Sequence, residues 1–279
     1  MNIFDLHNDF LNEKRLAKWT KIANECEKEG AKNMCCAVWT TKINKDNVMT
    51  ELETASRFCK TSKNAIFCVE DLHFITLNKL QEFASLKPFY ASFTWKEENV
   101  LAGGMDCLSG LSSFGKIVAN FLQNQGVFVD IAHLNERSFL DFAKISTRPI
   151  ICSHGALYRF CESNRNLKDY QIKIIQESEG LFGLFFSSRF VSGKNNAELL
   201  DLVKQIEYFC DKFDINNLAV GSGFFGTKHT IKHLKKYKQI LNLESELINR
   251  GFFKEEIDKI LYKNAEQFFN RSAYCASIS

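Results

Sequence analysis

Eight short apolar runs recur along the chain with helix-patterned segments between them, and this alternation limits the possible folds more than any other feature. The runs are NIFDLHND (2–9), NMCCAVWTT (33–41), NAIFCVED (64–71), PFYASFTW (88–95), VFVDIAH (127–133), PIICSH (149–154), GLFGLFFSS (180–188) and LAVGSGF (218–224). Apolar runs of this length bounded by Gly, Pro or Asn are strand signals. Residues 12–30, 113–126 and 196–213 carry apolar side chains at helical spacing, and 231–251 and 253–271 read as two closing helices. Strands that alternate with helices imply a parallel sheet. Eight such units predict a (β/α)8 TIM barrel, with its active site at the C-terminal ends of the strands. A doubly wound open sheet competes, but no G-x-G-x-x-G follows the first run. No linker or low-complexity tract divides residues 1–279, so a single barrel domain with C-terminal helices is expected.

Composition narrows the function classes. The 26 Phe supply a large core, and 25% charged residues is ordinary for a globular protein. A formal net charge of +3 gives no reason to expect a nucleic-acid or acidic membrane partner. No apolar stretch reaches the ~20 residues that span a bilayer, and the N-terminus lacks a signal-peptide pattern. A cytoplasmic location is therefore expected. The ten Cys have no regular spacing and are read as reduced thiols.

The polar residues of the runs collect where a barrel would place its chemistry. His7 and Asp9 end the first run, Glu70 the third, His133 the fifth and His154 the sixth. Residues two apart on a strand share a face, so His7 and Asp9 are expected to converge, with Asp5 one step deeper. Three imidazoles and two carboxylates suit two divalent ions of the zinc type. Glu70 would bridge, one ion taking His7, Asp9 and Glu70 and the other Glu70, His133 and His154. A lone strand-ending histidine is more often a hydrogen-bonded rim residue. Three of only six histidines at predicted strand ends are harder to explain that way.

The stretches DLHNDF, VED, FTWKEEN, VDIAHL, PIICSHGAL, NRNLKD and AVGSGFFG, in that order, resemble the membrane (renal) dipeptidase family, peptidase family M19. The resemblance implies two zinc ions on the same five residues. It also implies hydrolysis of dipeptides or small amides by a hydroxide held between the metals, and a homodimer. It assigns Arg165 to the substrate carboxylate, a role that a planar guanidinium suits; a salt bridge at the next helix is the alternative. Trp95 stands where many relatives carry a substrate-contacting His. Gly223 stands where the family has its catalytic Asp, and Phe225 where it has a second Asp. Losing a general acid–base costs about 10²–10⁴-fold in rate. Three readings follow: an altered dipeptidase; an inactive metal- and peptide-binding relative in which Gly223→Asp restores some activity; and a metallohydrolase of another amide or of a lactone. Glu97, Glu98 and Asp106 are candidate replacements for the acid. Asp130 reads as a group orienting a ligand imidazole or bonding a neighbouring strand, and His73 as a local contact. His229 and His233, four apart on an expected helix, read as a solvated basic face near the mouth, with paired metal binding or help with an acidic substrate as the alternatives.

Overall fold

The computed structural model describes residues 1–13 and 15–278, with side chains as far as Ser272. All eight apolar runs form strands: β1 (Ile3–Asn8), β2 (Ala31–Trp39), β3 (Ala65–Glu70), β4 (Tyr90–Ser92), β5 (Phe128–Asp130), β6 (Ile151–Gly155), β7 (Leu181–Leu184) and β8 (Leu218–Val220). Each pairs in parallel with its neighbours, and β1 pairs with β8, so the sheet closes in chain order. The barrel expectation holds and the open sheet is excluded.

Alternation along the strands builds two apolar layers. Phe4, Leu6, Cys35, Cys68, Tyr90 and Ile151 belong to the cluster that fills the barrel interior. Intervening residues such as Ile3, Met34, Val69 and Val129 pack outward under the helices. Helix α1 (Leu16–Lys28) buries Trp19, Ala23 and Cys26, and Gly30 follows at φ +110°, a conformation that favours glycine. Helix α2 (Val48–Thr61) buries Leu52, Ala55 and Cys59. The nine described cysteines are free, and burial pushes the Cys26 thiol up to about 12.

The closing helices differ from expectation. Residues 231–236 are irregular, and the α-helix there runs only Ile240–Asn249, so His229 and His233 do not share a helix face. Phe268, on the terminal helix Asn264–Ile278, joins the interior cluster and packs 5.0 Å from the Phe128 ring. Among the described residues no helix is long and apolar enough to cross a membrane.

Phe268 is 4% exposed. Phe268→Ala is expected to cost about 3–5 kcal/mol, the usual penalty for deleting a buried aromatic. Urea unfolding measures this.

Candidate metal centre

Strand β1 delivers the first residues, but not by simple alternation. Phe4 and Leu6 face the barrel interior, so a regular strand would turn His7 away with Asp5. The pairing of β1 with β2 is irregular between Asp5 and Asn8, and His7 swings into the mouth. The Asp5 carboxylate holds this bend. It accepts from the His7 backbone N–H at 3.2 Å, the Ser222 N–H at 2.8 Å, the Ser222 hydroxyl at 2.5 Å and the Tyr237 hydroxyl at 2.6 Å. The expectation that Asp5 lies below His7 on one face is therefore corrected: it fastens the β1–β8 seam.

Glu70 is the last residue of β3, and His154 lies in β6. Asp9 is one residue beyond β1. His133 lies three residues past the end of β5, in a turn at φ +71° rather than at a strand end as expected.

The five groups converge. His7 Nε2 is 3.4 Å from Asp9 Oδ2 and 3.3 Å from Glu70 Oε2. The other Glu70 oxygen, Oε1, is 3.3 Å from His133 Nε2. His133 Nε2 is 3.1 Å from His154 Nε2, and the His7 and His154 rings stack 3.8 Å apart. His7, Glu70 and His154 bring ligand atoms within 4.8 Å of one another. This tight trio draws on both of the ligand sets expected from sequence, with Asp9 and His133 at its edges.

Hydrogen bonding fixes the ring tautomers. The Tyr90 hydroxyl donates to the Leu6 carbonyl at 2.9 Å, so its oxygen receives His7 Nδ1–H at 2.9 Å. The Ser153 hydroxyl donates to Asp130 Oδ2 at 2.6 Å, so its oxygen receives His154 Nδ1–H at 2.9 Å. Both imidazoles thus turn Nε2 toward the cluster, the orientation a metal ligand needs. Asp130 acts in both ways the sequence allowed: it bonds the neighbouring strand at Ser153 and, through that hydroxyl, orients His154. The sequence reading missed Tyr90 and Ser153, and nothing in the pattern of β4 or β6 marks them. His73 makes local contacts with Thr40 and Asp71, as expected.

The electrostatics favour a cation here. Burial opposes charge on His7, but Asp9 and Glu70 outweigh it and raise its pKa well above the usual value. Burial, together with His7 and Arg165, keeps His133 and His154 well below theirs, hence neutral. Burial raises the Glu70 pKa against the pull of His7. The two carboxylates thus draw positive charge onto His7, and divalent ions meet the same demand with the same donor atoms by displacing the His7 Nε2 proton. His133 Nδ1 is buried without a hydrogen-bond partner, so the ring is held by what it faces on Nε2. The residues present fit a metal.

Asp9 is seated by its surroundings. Asn12 donates to Asp9 Oδ1 at 3.1 Å. A Cβ at Gly226 would lie 2.0 Å from Asp9 Oδ2, so only glycine leaves the carboxylate its place.

Around the cluster opens a cleft of about 1350 Å3. Trp95 lines it, tilted 4.7 Å from the Trp39 ring and 6.3 Å from His133. Arg165 does not line it. That side chain is 2% exposed, and its Nη2 donates to the His154 carbonyl at 2.5 Å, so it braces the ligand strand. The salt-bridge alternative is not found among the described residues, and Arg165 Nε is buried without a hydrogen-bond partner. Glu97, Glu98 and Asp106 are also absent from the lining, and Asp106 pairs with Lys96 at 3.3 Å.

The membrane dipeptidase family, peptidase family M19, matches residues 31–276. The chain belongs to this family. The M19 match begins at β2, so His7 and Asp9 join the site through the geometry above. A metallopeptidase from Rhodobacter sphaeroides, liganded with a phosphinate mimic of the dipeptide L-Ala-D-Ala, shares the fold with a TM-score of 0.86. It is 18% identical, over 98% of this chain and 99% of that one. An uncharacterized protein from the pqqA 5′ region of Klebsiella pneumoniae is 27% identical over 166 residues, 58% of this chain and 61% of that protein. Dipeptidase aclJ of Aspergillus oryzae is 24% identical over 196 residues, 67% of this chain and 46% of that one. The matches span between 35% and 61% of the length of such curated relatives.

Gly223 is set at φ +65°, and a Cβ there would lie 2.1 Å from Phe185 Cε2. The Phe185 ring is 8% exposed and packs edge-on to His154 at 4.9 Å. It occupies the room that a side chain at 223 needs, so a simple return of the carboxylate is blocked. Gly223→Asp is expected to destabilise by about 2–4 kcal/mol, from left-handed strain and overpacking together, and not to restore activity as the sequence suggested. Thermal unfolding of Gly223→Asp beside Gly223→Asp/Phe185→Ala checks this: the second change should return part of the loss.

Proposed function

We propose that the chain is a metal-dependent hydrolase of dipeptides or related small amides, with His7, Asp9, Glu70, His133 and His154 holding two divalent ions, zinc by donor chemistry. The observation that carries this reading is the trio His7, Glu70 and His154, whose ligand atoms lie within 4.8 Å of one another in a buried mouth. The two oxygens of Glu70, turned to His7 and to His133, support the bridging role. The dipeptide part of the reading draws on family membership and on the relatives named dipeptidases or liganded with a dipeptide mimic.

When bound, divalent ions supply Lewis acidity, which polarises a carbonyl and acidifies water enough for attack near neutral pH. The remaining work falls to side chains. Tyr90 and Ser153 keep the Nδ1 protons of His7 and His154 in place, so both rings present one face to the substrate. Asn12 and Gly226 keep Asp9 aimed. Trp95 lines the cleft beside His133.

The leaving amine needs a proton, and Gly223 has none to give. On the wall that follows β8, the cleft is lined by Phe225, Gly226, Thr227, Lys228 and His229. Of these, His229 carries an imidazole, the side chain most often used for proton transfer. It is our candidate donor, replacing Glu97, Glu98 and Asp106. The Phe185 ring beside Gly223 also favours a second reading, a metal- and peptide-binding protein without turnover.

Elemental analysis of purified protein, run beside a dipeptide assay with zinc added, separates these readings. The first expects two metals and hydrolysis; the second expects metals and peptide binding alone. Glu70→Ala should abolish hydrolysis and release metal. Tyr90→Phe should weaken metal affinity by about 10–100-fold, as loss of a ligand-orienting partner does. His229→Gln should lower kcat by about 10²-fold or more while metal content stays unchanged.

A further inference from the structure

The mouth cleft reaches well beyond the ligand cluster. It continues from His7 and Glu70 to Leu16, Trp19 and Ile22 of α1. Its volume of about 1350 Å3 exceeds the roughly 300–1,000 Å3 common for small-molecule sites. A dipeptide with small side chains would leave this arm filled only with water.

Phe225 stands at the junction of arm and metal centre. Its backbone is at φ +70°, a conformation that bulky side chains rarely adopt. Its ring is nevertheless 56% exposed, resting edge-on against Phe10 at 6.2 Å. Folding alone would choose Gly or Asn here, relieving the strain and removing exposed apolar surface. Leu16, on the facing helix, is 51% exposed. Strained or exposed apolar groups that face one concavity beside reactive groups are a ligand-binding feature.

We propose that this arm binds a bulky apolar side chain of the substrate. The preferred substrates are then dipeptides or amides that carry an aromatic or branched aliphatic group, rather than small ones. Thr50 and Glu51 of α2 also line the cleft. The lining thus mixes apolar and polar groups, which suits a single side chain better than a long acyl tail. The inference rests on the metallohydrolase reading above for the seat of the scissile bond.

The test is calorimetric titration of the zinc-loaded full chain with two phosphinate dipeptide mimics, one bearing two methyl side chains and one bearing a benzyl group. The benzyl compound is expected to bind at least about tenfold more tightly, the usual gain from burying an aromatic side chain. In Phe225→Gly and in Leu16→Asp the ratio of the two affinities should fall towards one. The melting temperature of Phe225→Gly should be no lower than that of the parent, because strain is released. Equal affinities in the parent, or a ratio unmoved in both variants, would overturn the inference and leave the metallohydrolase reading standing. Failure of both mimics to bind the zinc-loaded chain would overturn the two together.

Discussion

A carboxylate held away from water must be met by positive charge, and much of the mouth is arranged around that demand at Glu70. The side chain is 4% exposed, yet each oxygen faces an imidazole rather than solvent. Burial of this kind is expensive unless the charge is paired. The parallel barrel supplies the partners because the ends of β1, β3 and β6, with the turn after β5, open at one face. An open sheet would spread the same residues along an edge, and Glu70 would have only its nearest neighbours.

Pairing alone does not make a ligand set; the nitrogens must also face the cluster. Tyr90 and Ser153 do this for His7 and His154 by spending their own protons elsewhere, on a carbonyl and on Asp130. The backbone makes room for the second arrangement. A Cβ at Gly183 or at Gly221 would lie 2.0 Å from the Ser153 carbonyl oxygen. Strands β7 and β8 thus press directly on β6 at the residue that orients His154. Larger residues there would push β6 away from the cluster.

The legible parts of this structure share one property: they follow from hydrophobic pattern. Apolar runs marked all eight strands, and polar residues at their ends marked His7, Asp9, Glu70, His133 and His154 as neighbours. What escaped depends on departures from regular backbone. The irregularity in β1 separates His7 from Asp5, and the left-handed turn at His133 carries it beyond its strand. Neither has a signature in alternation. For Arg165 a motif gives the position but not the direction of the side chain, and here Nη2 donates to the His154 carbonyl. His229 was underrated for the opposite reason. Its basic neighbourhood looked like a helix face, whereas an irregular segment carries it to the cleft.

The residues after β8 change the mouth in one direction. Where the resembling family carries two Asp, this chain has Gly223 and Phe225, so the wall loses negative charge and gains aromatic surface. The cleft lining then includes Lys42, Lys96, Arg189 and Lys228 against Glu13 and Glu51 beyond the ligand carboxylates. Lys42 rests over the Trp39 ring at 4.3 Å, and Lys96 is answered by Asp106. Arg189 and Lys228 are left on the Phe185 and Phe225 side. Charges that line a concave cleft focus the field there and draw anions toward it. On the reading proposed above, the same wall that lacks a proton-transfer group at 223 presents a rim suited to a carboxylate-bearing ligand with an apolar flank. On that reading, selectivity and proton transfer both follow from one feature of the wall, the residues 223–229 after β8.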